Sequence, residues 1–100
     1  MPPDVRYFVE GDEFDWKAWV APLEWVCREL NIVTDLTCRG IITHDIWNHV
    51  IDTTQKCAAK ARVNGRLHPM GHKARYGVVS ASDINTISDN IAILIKGVYP

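Results

Sequence analysis

No acidic residue occurs between Thr53 and Ser82. The bases of that stretch (Lys56, Lys60, Arg62, Arg66, Lys73 and Arg75) have no local counter-charge, so they face solvent, a distant carboxylate or another molecule. Cysteine is scarce and poorly spaced for cross-linking. Cys27, Cys38 and Cys57 are odd in number and include no close pair. That excludes a disulfide framework and fits a reducing cytoplasm. Long apolar runs are missing as well. The strongest, IAILI from Ile91 to Ile95, is far short of the ~20 residues a bilayer requires, so no membrane partner is expected. The opening MPPDVRYF has an acid where a secretory signal would place bases before an apolar run. Nucleophile-elbow, phosphate-loop and dinucleotide-binding glycine patterns are all absent, and with them the usual outlines of hydrolase, nucleotide and oxidoreductase sites. The expectation is a protein that is not an enzyme.

What is present is the material of one folded unit spanning 1–100. The chain has 100 residues, 47% apolar and 23% charged, with four tryptophans. That is enough to bury one core. The net charge of −1 conceals a split. Residues 1–50 hold nine acids and four bases, a balance of −5, and residues 51–100 hold three acids and seven bases, +4.

Apolar spacing at three and four residues predicts three helices. In 15–30, Trp16, Trp19, Leu23, Val26, Cys27 and Leu30 share a face, and Asp12 or Asp15 is the candidate cap. Pro22 interrupts this segment, so either a kink or two segments with a break at Pro22 is expected. From Thr43, a candidate N-cap, Ile46, Trp47, Val50, Ile51, Thr54, Cys57, Ala58 and Ala61 form a second stripe, which Asn64-Gly65 should end. The third stripe is Ile84, Ile87, Ile91, Leu94 and Ile95, starting near Ser82 and closed by Gly97. Trp47 is expected in the core. Cys27 and Cys57, both on apolar faces, are expected as inert core thiols. Strand-like composition marks 5–11, with shorter extended pieces at 32–34 and 76–79. The fold class is thus mainly α, three to four helices with a short N-terminal strand or hairpin, and α+β as the alternative. Residues 1–14 form an extended acidic segment and 65–81 a long basic connector.

Four histidines invite a metal reading that their spacing does not support. His44 and His49 are five apart, about 140° round a helix, whereas a helical zinc pair is four apart. His49 instead shares a polar face with Asp45 and Asp52. His68 and His72 are four apart, but Pro69 and Gly71 lie between them. Cys38 or Cys57 could complete a set, yet no standard zinc spacing exists. No metal and no cofactor are expected.

Two features point outward. Lys60, Arg62, Arg66, His68, His72, Lys73, Arg75 and Tyr76 lie on a helix end and a long loop. Bases with an interleaved aromatic suit phosphate or carboxylate contact. In an unbroken helix, Trp25 lies opposite Trp16, which makes it a candidate contact residue. The acids Glu10, Asp12, Glu13 and Asp15 form a second charged patch. The function expected is non-enzymatic protein–protein contact. An adaptor, or a phage-type inhibitor docking on a larger host complex, would fit. The alternative is a nucleic-acid-binding module using 60–76.

Overall fold

The computed structural model describes residues 2–38, 42–73, 77 and 79–99. They form three α-helices, α1 (Trp16–Glu29), α2 (His44–Ala61) and α3 (Ala81–Val98), with one 3₁₀ turn at Asn64–Arg66. The fold is mainly α, and no strand occurs among the described residues.

Local chemistry sets most helix ends. Asp15 accepts the Ala18 N–H at 3.2 Å, and Thr43 accepts that of Ile46 at 3.3 Å. Ser80 and Asp83 form a reciprocal capping box at the start of α3. α1 continues through the buried Pro22 as one helix, so the chain does not split there. α2 stops earlier than Asn64-Gly65. Arg62 takes left-handed backbone at φ 61°, and the Val63 N–H closes onto the Ala58 carbonyl at 2.9 Å. α3 runs through Gly97 rather than ending there. A Cβ on Gly97 would meet Val63 Cγ1 at 3.0 Å, so this glycine serves a close approach between the ends of α2 and α3.

The three apolar stripes meet in one core. Trp19, Leu23, Val26, Trp47, Val50, Ile51, Ile87, Ile91 and Leu94 are almost wholly buried. The Trp19 and Trp47 rings stack with centroids 5.8 Å apart. Trp19 Nε1 donates to Ser88 Oγ at 3.1 Å, and that hydroxyl donates to the Arg6 carbonyl at 2.6 Å.

Residues 5–11, expected as a strand, find a helix as their partner. The Phe8 N–H donates to Asn85 Oδ1 at 2.8 Å, and Asn85 Nδ2 donates back to the Phe8 carbonyl at 2.7 Å. A side-chain amide thus does for this peptide what a neighbouring strand would do. The extended piece at 32–34 likewise pairs with no strand. Ile32 packs into the core instead. Of the piece at 76–79, residues 76 and 78 lie outside the described residues, and 77 and 79 are in no strand.

All three helices point the same way. Trp19 meets Trp47, and Cys27, two turns on, meets Cys57. Trp19 also meets Ser88, and Trp25 meets Tyr99 just past α3. Val63 reaches Gly97. A parallel neighbour forces each connector to travel back along a helix of about 21–27 Å at 1.5 Å per residue. Extended chain covers that at roughly 3.3 Å per residue. The length of 30–43 and 62–80 therefore follows from helix direction.

Candidate functional site

Parallel packing gathers like ends. At the start end, Asp15 caps α1, and Asp45 and Asp83 lie in the first turns of α2 and α3. At the finish end each helix carries a base in its last turn, Arg28, Lys60 and Lys96. Arg62 and Arg66 follow α2 directly. Each placement complements its helix dipole, positive at the start and negative at the finish. The helix-terminal charges thus segregate along the bundle axis, apart from Glu29 at the last position of α1. All five finish-end bases are exposed, and none joins an ion pair among the described residues. Glu29, exposed and adjacent to Arg28, closes α1 at the same end.

The rest of the basic connector is tied down. It descends α3 in even steps: Val63 lies against Gly97, His68 against Asn90, and Lys73 against Asp83. Gly97, Asn90 and Asp83 are seven apart, hence on one helix face. Asn90, buried in α3, accepts the His68 N–H at 2.7 Å and donates to its carbonyl at 3.1 Å. Asn48 of α2 holds Lys73 in the same way, at 2.7 and 2.9 Å. His72 Nε2 meets Asp52 Oδ1 at 2.5 Å, and Lys73 Nζ meets Asp83 at 3.1 Å. Asp83 is held below the ordinary carboxylate range, first by the Ser80 N–H of the capping box and then by Lys73, with burial opposing.

The predicted contact residues therefore divide. Lys60, Arg62 and Arg66 project at the finish end and join no ion pair among the described residues. His68 lends its backbone to Asn90 while its side chain stays exposed. His72 and Lys73 are spent on Asp52 and Asp83. Arg75 and Tyr76 lie outside the described residues. Trp25 is half-buried, and its ring sits edge-on to Tyr99 at 6.1 Å. In the acidic patch, Asp12 accepts the Val9 N–H and Asp15 caps α1, while Glu10 and Glu13 are exposed. No ion pair joins this patch to the connector among the described residues.

The histidines do not converge. His49 Nε2 lies 3.2 Å from Thr34 Oγ1, and it is His72 that meets Asp52. Among the described residues no three His, Cys, Asp or Glu side chains come together as a metal would need. No described helix is long and apolar enough to cross a membrane.

A cavity of about 410 Å³ opens beneath the connector, between α2 and α3. Ile51, Ala58, Leu67, Met70 and Ile87 line its apolar wall, with Gln55 and His68 among its polar lining. It is large enough for an apolar side chain or small ring compound.

Asn48, Asn85 and Asn90 were missed in the sequence. Asn90 carried a signal: it falls between Ile87, Ile91 and Leu94 on the apolar face, where a polar group must find a partner. Asn48 and Asn85 carried none, because they look like ordinary surface positions.

No family model matches this chain, and no curated protein or solved structure matches it either.

Proposed function

We propose that this protein is a non-catalytic binding module that docks onto an acidic surface of a larger protein, as an adaptor or inhibitor would. One observation carries the reading. Three parallel helices and the turn after α2 bring five exposed bases, in no ion pair among the described residues, to one end of the molecule, while the capping acids stay at the other. Such a dipolar molecule is oriented by the field of an acidic partner before contact, which raises association rates and fixes the docking pose.

The overall charge favours protein over nucleic acid: a dedicated non-specific nucleic-acid binder is normally basic overall, whereas this chain carries a net charge of −1.

Replacing Lys60, Arg62 and Arg66 together by glutamate tests this. The variant should keep its helical circular dichroism but lose salt-sensitive capture of its partner from nuclease-treated extract of the native host. Capture that disappears on nuclease treatment would favour the nucleic-acid alternative. In that case a labelled oligonucleotide would bind with log affinity falling linearly with log salt. Capture undiminished by the reversal at low salt would exclude the finish end as the docking surface.

A further inference from the structure

Two of the three cysteines, 30 positions apart in sequence, meet inside the molecule. Cys27 of α1 and Cys57 of α2 are both buried, and their sulfurs lie 3.5 Å apart. They sit where α1 and α2 approach each other toward the finish end. These two helices touch each other more sparingly than either touches α3. We propose that Cys27 and Cys57 are a redox site, forming a reversible intramolecular disulfide that staples α1 to α2, with a peroxide as the oxidant.

The geometry suits the reaction. A disulfide needs its sulfurs at about 2.05 Å, so the pair must close by roughly 1.5 Å. Side-chain rotation on both cysteines, with a slight shift of two sparsely joined helices, supplies that movement. The two thiols are not equivalent. The hydrogen bond with Cys57 holds the Cys27 thiol below its ordinary value against the opposing effect of burial. The same hydrogen bond, then burial, pushes Cys57 up. We take Cys27 as the attacking sulfur; exchanging the two roles leaves the product the same.

In the first step the Cys27 thiolate attacks one peroxide oxygen and the O–O bond breaks. Cys27 becomes a sulfenic acid, and the departing hydroxide takes a proton to leave as water. In the second step the Cys57 sulfur attacks the Cys27 sulfur, and the S–O bond breaks. The departing hydroxide leaves as water with the proton of Cys57. Two thiols lose two electrons in all, and one hydrogen peroxide becomes two waters. A thiol reductant such as dithiothreitol reverses the change by exchange through a mixed disulfide.

The pair is buried, so the oxidant enters through brief local opening and the reaction is slow compared with that of a free thiol. The product encloses 28–56, including the whole 30–43 connector. Cross-linking a loop of that size removes much of the unfolded chain's freedom, so the oxidised form should unfold at higher temperature.

The test uses the full chain carrying Cys38→Ser, which leaves only this pair. After hydrogen peroxide treatment the protein should lose about 2 Da, for two hydrogens, and show no titratable thiol in denaturant until reduced. Its unfolding midpoint should rise by about 10 °C or more. Digestion of treated wild-type protein should release a reducible peptide pair containing Cys27 and Cys57, which guards against a Cys38→Ser variant that fails to fold. Two thiols that remain titratable after prolonged treatment would overturn the proposal. So would mass gain in oxygen-sized steps without the 2 Da loss.

Discussion

The two connectors make the same journey, from the finish of one helix back to the start of the next, and are held down by different means. The 30–43 connector is held by burial. Ile32 and Leu36 are 8% and 4% exposed, and Trp16 Nε1 donates to the Leu36 carbonyl at 2.7 Å. The 62–80 connector has only Val63 buried among its described residues. Two asparagine clamps, the His72–Asp52 hydrogen bond and the Lys73–Asp83 ion pair hold the rest. Burial draws a segment into the core and makes it part of the frame. Directional polar ties hold a segment on the surface, so its other side chains stay available, here Arg62 and Arg66. The first connector contributes to the scaffold and the second displays charge.

Substitutions can break this contrast in order of size. Trp47, stacked on Trp19, belongs to the frame both connectors lie on. Trp47→Ala should destabilise by about 3–5 kcal/mol in chemical denaturation. An unchanged midpoint would contradict its burial. Leu36→Ala should cost about 2–3 kcal/mol, the lower part of the usual range, because a site at the core's edge can partly collapse. Asn90→Ala should cost about 2 kcal/mol, since it strands the His68 N–H and carbonyl. Its signature is local: hydrogen exchange should quicken around 66–70 far more than around 32–36, and equal quickening would remove the distinction between the connectors.

Asp83, held first by the Ser80 N–H of the capping box and then by Lys73, gives a pH handle. Asp83 has a folded pKa below its ordinary value of 3.8. The unfolded chain therefore takes up the proton first as pH falls. The stabilisation is fully present above the ordinary value and is lost as pH drops through the folded one. Asp83→Asn should be less stable at neutral pH and should flatten the decline of stability below about pH 4, measured by urea unfolding across that range. The smallest expected effect is Arg62→Gly. Arg62 has φ 61°, which glycine adopts without steric cost. Stability should hold or rise by up to about 1 kcal/mol, while partner binding weakens. Parallel loss of both would mean that Arg62 matters for folding alone.

Hydrophobic periodicity and capping residues determined the three helices, their buried faces, the burial of Trp47 and the caps at Asp15 and Thr43. These depend on neighbours within a few residues, where spacing and geometry are locked together. The basic character of 56–75 was equally legible, because charge is a property of residue type. Helix direction was not. An amphipathic stripe buries equally well against a parallel or an antiparallel neighbour, so the meaning of the long connectors stayed hidden. The same gap hid which bases remain free and which meet Asp52 or Asp83, the strand-like 5–11 pairing with Asn85 instead of a strand, and the contact of Cys27 with Cys57. Each joins residues far apart in the chain, and only the packing of α1 and α2 against α3 brings them within reach.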